Sequence, residues 1–446
     1  MKARLLLVLA VLGHLMLAQA QGTAREHWVG TWGTAQQLAR IPPPGPRPAA
    51  PAPPARPTGA APRPVLPQQT IAQRGFNNQT VRMIVPASLG GHRLRVKLSN
   101  AFGSAPVAVG AAHVAIHGKE SEIVPGADRT LSFNGNPSCT IGPGMVILSD
   151  PVDLDLPKLG DLAVSLYFPG ETGPPTNHNY GLHTTYISKE GDVTGQRAMA
   201  DAVTTQSYYY LAGVDVLAPS NASLIVTFGD SITDGALLTP DTEHNWPTLL
   251  AARLAANKRT AGFAVANAAI SGNQILGEGG GANALARLDR DILILSGVKW
   301  MMLLEGINDI GKLGRPATAA EPLSAEDLIG GYRQIIEAAH THGIKVAGCT
   351  LTPYGGAGYF TEKGEAIREA LNTWIRTSGA FDGVVDFDAA TRDPNDLKRY
   401  RPEFDHGDHL HPGAAGAQAM ANAIDLGIFS GKRAAGGPKK LLPPSR

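Results

Sequence analysis

The sequence predicts two consecutive domains, an antiparallel β-sandwich or jelly roll followed by a three-layer α/β unit built on a parallel sheet. Short strand-like runs separated by Gly, Pro, Asn and Asp recur through residues 25–218, which is typical of an antiparallel β domain. Over residues 222–430, apolar strand-like runs alternate with amphipathic helical segments, which is typical of a parallel sheet covered on both faces. The chain has 446 residues, 43% of them apolar, and so exceeds what one hydrophobic core normally organises.

The strand-like runs of the first region are short and apolar or alternating, and turn residues bound each of them. They lie at residues 28–32, 79–85, 93–98, 107–116, 145–148, 161–167 and 180–188. No helical period of useful length occurs before about residue 220. We therefore expect the first domain to be built from strands.

The second region has a different pattern, because strand-like and helical segments alternate along the chain. Strands are expected at residues 224–228, 263–269, 298–304, 345–351 and 384–387. Helices are expected at residues 246–256, 325–342, 365–378 and 414–429. Ligands of such folds bind at the carboxyl ends of the parallel strands.

Three segments are expected to lie outside the folded domains. Residues 1–20 carry early basic residues, then an apolar run, then Ala-Gln-Ala, which is the order of a secretory signal. A membrane anchor or a core helix is the alternative, but the apolar run is short for a membrane span. Residues 41–67 are rich in Pro, Ala, Gly and Arg and interrupt the first domain as an extended insert, and residues 431–446 form a flexible tail. The sequence thus predicts a secreted or periplasmic protein without stable membrane insertion once the signal is removed.

The net charge and the cysteine content limit the kinds of binding partner that the sequence predicts. With 39 Lys and Arg against 38 Asp and Glu, the formal charge of +1 gives no electrostatic reason to expect a nucleic acid. A neutral or small polar substrate fits this balance better. Cys139 and Cys349 are too isolated to resemble a metal site, and a disulfide between them is open, although two buried thiols fit better.

Chemically useful residues follow the predicted strands of the second domain. Ser231, Gly272 and Asn308 each come shortly after one strand, and Asp408 and His411 stand directly before the last helix. The carboxyl ends of parallel strands meet at one edge of a sheet, so we expect these residues to lie close together.

Together these five residues supply what serine ester hydrolysis requires. Ser231 is the candidate nucleophile, His411 the base, and Asp408 the group that orients the base. The backbone N–H groups of Ser231 and Gly272 and the side-chain amide of Asn308 are the candidate donors of an oxyanion hole. No single segment is specific, but their order and placement make coincidence a poor explanation.

Several rival assignments remain open from the sequence. His406 and His409 compete with His411 for the role of base, and Asp405 competes with Asp408. The same crowded loop offers oxygen and imidazole groups to a metal ion, although no second cluster of ligands stands at another strand exit. We expect neither a metal nor another cofactor.

Two further alternatives concern the fold and the class of function. The nucleophile elbow of α/β-hydrolases closes with glycine, whereas Thr233 occupies that position here, so that fold is disfavoured. A catalytically silent glycan-binding protein would not need both Ser231 and His411, so an enzyme is favoured.

The second domain resembles the SGNH, or GDSL-type, hydrolase superfamily. The resemblance is carried by GDSITDG at 229–235, NAAISGN at 267–273, GIND at 306–309 and DHLHP at 408–412. Ile232 stands where this family often has Leu. The first domain, with WVGTW at 28–32 and LSNAFG at 98–103, is similar to the β domain of a secreted, carbohydrate-esterase-like branch.

The resemblance implies a flavodoxin-like sheet and a Ser-His-Asp triad of Ser231, His411 and Asp408 working through an acyl-enzyme. It implies an oxyanion hole made by Ser231, Gly272 and Asn308. It also suggests short-chain carboxylic esters as substrates, as small molecules or as O-acetyl groups of a polysaccharide. Lipase, lysophospholipase and thioesterase activities are the alternatives within the superfamily.

Overall fold

The computed structural model describes residues 25–38, 71, 73–314 and 323–430. The predicted signal segment at 1–20, the predicted Pro-rich insert at 41–67 and the predicted tail at 431–446 lie outside the described residues. Within the described part of the chain, no helix has both the length and the apolar character needed to cross a membrane.

The N-terminal region is built from strands, and all of its ladder pairings are antiparallel. Its strands are β1 (Glu26–Gly33), β2 (Gln37–Leu38), β3 (Gln79–Pro86), β4 (Gly91–Ser99), β5 (Val107–Val109), β6 (Ala111–Ile116), β7 (Arg129–Thr130), β8 (Cys139–Ile141), β9 (Val146–Leu148), β10 (Val152–Leu156), β11 (Asp161–Phe168), β12 (Thr176–His178), β13 (Thr185–Ile187), β14 (Val203–Thr205), β15 (Tyr208–Tyr209) and β16 (Leu211–Pro219).

Two larger sheets pack face to face in this region. One has the order β1-β16-β4-β10, with β9 also pairing with β4, and the other has the order β14-β13-β3-β11-β6-β7. Alternate residues point inward from both sheets into one hydrophobic core, as with Met83 of β3 and Val96 of β4. A third, small sheet has the order β15-β12-β2.

The C-terminal region is an α/β domain. Its strands are β17 (Ser223–Gly229), β18 (Phe263–Asn267), β19 (Val298–Leu304), β20 (Lys345–Cys349), β21 (Gly383–Val385), β22 (Arg392–Asp393) and β23 (Asp396–Tyr400). Its α-helices are α1 (Ser231–Asp234), α2 (Trp246–Ala256), α3 (Ala284–Leu288), α4 (Ile307–Gly311), α5 (Ala325–Thr341), α6 (Glu362–Thr377), α7 (Phe387–Thr391) and α8 (Ala414–Ala423). A π-helix covers Asp289–Leu293, and 3₁₀ turns cover Lys312–Gly314 and Leu426–Ile428.

The main sheet of this domain is parallel and has the order β18-β17-β19-β20-β21. This is the flavodoxin-like order, in which the chain reverses direction beside its first strand and leaves a crevice at the carboxyl ends. The predicted fold class, an antiparallel β domain followed by a flavodoxin-like α/β domain, is confirmed.

The predicted strands of the α/β domain and the helices predicted at 246–256, 325–342 and 365–378 lie close to their predicted limits, but the helix predicted at 414–429 ends at Ala423. The β region departs from the prediction in several places. The run predicted at 180–188 is a strand only over Thr185–Ile187, and the whole of β16 is absent from the prediction. Asp215 interrupts the apolar pattern of β16. Its buried carboxylate pairs with Arg95 Nη2 of β4 at 2.9 Å, so the strand accommodates the charge.

The two regions are packed closely on each other. Strand β1 lies beside β18, where Thr34 forms a bridge with Asn267, and one hydrophobic cluster continues from the sandwich into the α/β domain. Strand β16 ends at Pro219 and β17 begins four residues later, at Ser223. The division of the chain at 218 and 222 stays a prediction. Both cysteines are free thiols.

Candidate active site

A tight turn places Ser231 at the carboxyl end of β17. Gly229 ends the strand, and a Cβ at this position would lie 2.4 Å from the carbonyl oxygen of Leu304, so a side chain does not fit. Asp230 caps α1 by accepting the N–H of Ile232 at 3.0 Å. Ser231 is therefore the first residue of a helix, and 7% of its surface is exposed.

The structure brings Ser231, His411 and Asp408 into one hydrogen-bonded chain. The Nε2 atom of His411 lies 2.7 Å from Ser231 Oγ, and its Nδ1 atom lies 2.6 Å from Asp408 Oδ2. Asp408 Oδ1 also accepts the backbone N–H groups of Leu410 and His411. The order hydroxyl, imidazole, carboxylate is the arrangement that allows a serine to lose its proton to a histidine.

The surroundings of Asp408 keep it ionised. Partial burial acts to raise its pKa, but the hydrogen bond from the His411 ring, the charge of that ring and two backbone N–H groups outweigh burial, and the pKa of Asp408 falls well below its usual value. An ionised Asp408 fixes the tautomer of His411 with hydrogen on Nδ1, so that Nε2 faces Ser231 as an acceptor.

The three candidate oxyanion donors follow neighbouring strands β17, β18 and β19 of the parallel sheet. Within the described residues, the backbone N–H groups of Ser231 and Gly272 donate to no other protein group. Gly272 has φ of +79°, which a residue with a side chain adopts only under strain. The amide of Asn308 at the start of α4 donates one hydrogen to the carbonyl of Asn273 at 3.0 Å and keeps its second for another acceptor.

The turn that carries Gly272 is held by its neighbours. Asp234 Oδ2 accepts both the N–H of Ser271 at 3.0 Å and its hydroxyl at 2.6 Å. The carbonyl of Gly272 accepts the N–H of Gly280, from the glycine-rich stretch that follows. The orientation of the Gly272 peptide is thus set by contacts on both of its sides.

A buried arginine supports the site and was missed by sequence reasoning. Arg287 is 0% exposed and donates to Asn273 Oδ1 at 2.8 Å, to the carbonyl of Ala268 at 2.5 Å and to that of Gly229 at 3.1 Å. Its guanidinium also pairs with Asp291 at 3.2 Å. Nothing in its position after a loop distinguishes it from an ordinary helical arginine of the surface.

Buried carboxyl groups lie directly under the site. Burial is the main cause that raises the pKa of Asp230 to about 7 and that of Glu305 well above its usual value, and Glu305 also has Arg287 Nη2 at 3.7 Å. A carboxyl with a raised native pKa binds its proton more tightly in the folded state. Asp230 therefore makes folding less favourable as the pH rises from about 4 toward 7.

The rival residues of the last loop form a separate pair. His409 Nδ1 lies 2.5 Å from Asp405 Oδ2, and 46% of the His409 side chain is exposed. His406 contributes a backbone N–H to the carbonyl of His411. Among the described residues, no group of three or more His, Cys, Asp or Glu side chains is arranged to hold a metal ion.

A cavity of about 430 Å³ lies between the two domains. Its wall includes the aromatic rings of Trp32, Tyr180 and Tyr208 from the β domain, together with His178 and Asp234. None of the three residues of the Ser231 chain lines this cavity.

Comparisons with known proteins give one family. Residues 227–419 match the GDSL-like lipase/acylhydrolase family, whereas no curated protein matches the chain in sequence. An acetylxylan esterase structure from Geobacillus stearothermophilus is 19% identical, with a TM-score of 0.36, and the likeness covers 48% of this chain and 96% of that one. A GDSL-like lipase from Bacteroides thetaiotaomicron is also 19% identical, with a TM-score of 0.34 and coverage of 46% and 88%.

The matched range runs from β17 to α8 and contains Ser231, Gly272, Asn308, Asp408 and His411. Residues 227–419 of the α/β domain thus match the GDSL-like lipase/acylhydrolase family, and this match supports a carboxylic ester hydrolase.

Proposed function

We propose that the protein is a secreted serine hydrolase that removes short acyl groups from small or polysaccharide esters through a Ser231–His411–Asp408 triad. The observation that carries this proposal is the unbroken chain of hydrogen bonds from Asp408 to Ser231, at the carboxyl edge of a parallel sheet. The secreted or periplasmic location is inferred from residues 1–20.

In the proposed reaction, His411 Nε2 takes the proton of Ser231 as Oγ attacks the ester carbonyl carbon. The carbonyl oxygen becomes negative and accepts hydrogen bonds from the N–H groups of Ser231 and Gly272 and from Asn308. His411 then gives its proton to the leaving alcohol, and an acyl group remains on Ser231. A water molecule, activated by the same imidazole, attacks this acyl-enzyme and releases the acid.

The polar surroundings of the last loop favour a polar alcohol as the leaving group. The exposed His409 and its partner Asp405 lie on the loop that supplies His411, and the Arg399 side chain lies near His409 across Gly356. Such side chains can bond sugar hydroxyls, whereas an apolar lipid tail offers them no hydrogen-bonding group. The short acyl group is proposed from the resemblance to the carbohydrate-esterase-like branch.

Hydrolysis of nitrophenyl esters of increasing acyl length tests this proposal. We expect kcat/KM to be highest for the acetyl ester and to fall as the acyl chain lengthens, with no effect of a chelator. Release of acetate from acetylated xylan would then be measured. Higher kcat/KM on long-chain esters, or a loss of activity on chelation, would contradict the proposal.

Replacing Asn308 by alanine tests the oxyanion hole. We expect kcat to fall by about 10²- to 10³-fold with little change in KM, because the amide contacts the substrate oxygen most strongly once it is negative. Steady-state kinetics on nitrophenyl acetate measure both constants. Asn257→Ala, which removes an amide after α2, is the matched control and should keep wild-type kcat. An Asn308→Ala enzyme with wild-type kcat would remove Asn308 from the oxyanion hole.

A further inference from the structure

A histidine of the β domain reaches into the α/β domain beneath the candidate oxyanion turn. His178 ends strand β12, and its side chain is 3% exposed. Its Nδ1 atom lies 3.0 Å from the carbonyl oxygen of Ala35, and its Nε2 atom lies 3.0 Å from Asp234 Oδ1. Because a carbonyl oxygen only accepts, Nδ1 carries a hydrogen, and the ring links the two domains through fixed directions.

Asp234 connects His178 to the turn that holds Gly272. One carboxylate oxygen faces His178, and the other accepts both the N–H and the hydroxyl of Ser271. Burial opposes a charge on His178, but the charge of Asp234 and the hydrogen bonds of the ring prevail, and the pKa of His178 is raised. A protonated ring then donates from both nitrogens and holds Asp234 in one orientation.

A second side chain from the same small sheet contacts the other side of the turn that holds Gly272. Gln37 of β2 donates from Nε2 to the carbonyl of Gly280 at 2.6 Å. Gly280 in turn donates its N–H to the carbonyl of Gly272 at 2.9 Å. Strands β2 and β12 pair with each other, so Gln37 and His178 are presented to the turn by one sheet.

These contacts bear directly on the direction of one N–H group. Gly272 has no side chain to fix it and has a positive φ, so its peptide orientation depends on what holds Ser271 and the Gly272 carbonyl. An oxyanion donor is effective only when it is preorganised toward the negative oxygen.

We propose that His178 and Gln37 are positioning residues for the oxyanion hole, so that the β domain completes the active site of the α/β domain. The inference depends on the proposed role of the Gly272 N–H. It predicts that replacing His178 or Gln37 lowers the rate of the chemical step and changes substrate binding little.

The test uses the full chain and the variant His178→Ala. We expect kcat on nitrophenyl acetate to fall by about 10- to 100-fold with KM within about twofold, because misplacing a catalytic group by about an ångström costs up to about 100-fold. The affinity of a boronic acid, whose tetrahedral adduct with the serine imitates the transition state, should fall in parallel. If His178 only stabilised the packing of the two domains, His178→Ala would lower thermal stability but would not lower kcat and boronic acid affinity together.

Three further variants provide the controls. His113 pairs with Asp128 at 2.8 Å on the β6 strand, so His113→Ala removes a similar pair elsewhere in the β domain and should keep wild-type kcat. In Asp234→Asn, the amide oxygen can still accept from Ser271 and the amide nitrogen can donate to a neutral His178. Asp234→Ala loses both contacts. We therefore expect kcat to fall in Asp234→Ala and to stay close to the wild-type value in Asp234→Asn. Gln37→Ala leaves no buried charge behind and is expected to lower kcat about three- to tenfold, in line with one misplaced contact.

The outcomes separate the two levels of the argument. Folded His178→Ala or Gln37→Ala proteins with wild-type kcat and wild-type boronic acid affinity would overturn the inference. If His178→Ala does not fold, Gln37→Ala and the comparison of Asp234→Asn with Asp234→Ala decide it by the same criteria. An active Ser231→Ala enzyme would instead overturn the proposed function on which the inference depends.

Discussion

Replacement of Ser231 by alanine is expected to abolish ester hydrolysis while the protein stays folded. In the proposed reaction, the hydroxyl supplies the oxygen that attacks the substrate carbonyl after His411 takes its proton, and loss of such a nucleophile lowers kcat by about 10⁴-fold or more. Deleting one oxygen from a nearly buried residue at the start of a short helix leaves the core unchanged. Hydrolysis of nitrophenyl acetate and thermal unfolding followed by circular dichroism measure the two effects.

A matched serine and a covalent probe complete this test. Ser132→Ala, which removes a hydroxyl bonded to Asp150 in the β domain, should keep full activity. A fluorophosphonate should label the wild-type protein at Ser231, as detected by mass spectrometry, and should fail to label Ser231→Ala. Full activity in the Ser231 variant would move the reaction to a different nucleophile.

The site residues were predictable because parallel sheets place strand exits at a common edge. Ser231, Gly272 and Asn308 follow β17, β18 and β19, which are neighbours in the sheet, so short sequence segments far apart in the chain meet in space. Asp408 and His411 come instead from the loop before α8, and their hydrogen bonds join this loop to Ser231. Their catalytic roles stay predictions until variants are measured.

Contacts between distant residues could not be read from the sequence. Strand β16 was not predicted, and its buried Asp215 pairs with Arg95, which lies 120 residues away in the sequence. His178 was not among the predicted site residues, and its partner Asp234 belongs to the other domain. The local sequence pattern indicates which face of a strand is buried. It does not indicate which distant polar group will pair with a buried charge on that strand.

Loss of the buried Arg287 side chain should cost several kcal/mol of stability. Replacing it by alanine removes hydrogen bonds to the buried acceptors of Ala268 and Asn273 and a buried pairing with Asp291. Unpaired buried acceptors cost about 1–3 kcal/mol each, and breaking a buried ion pair costs about 3–5 kcal/mol. Since Asp291 keeps Arg290 as a partner at 2.7 Å, we expect the free energy of unfolding to fall by about 3–5 kcal/mol in total.

Urea unfolding of Arg287→Ala measures this loss, and Arg333→Ala is the control, because Arg333 lies over the Trp374 ring outside the buried network. The control should change the free energy of unfolding by less than about 1 kcal/mol. Arg287→Lys separates charge from shape, because an ammonium group cannot reach the several fixed acceptors that the planar guanidinium reaches. A lysine variant as stable as wild type would show that charge alone suffices. A lysine variant that is destabilised and also slowed in kcat would show that the guanidinium geometry holds Asn273, whose carbonyl in turn holds Asn308.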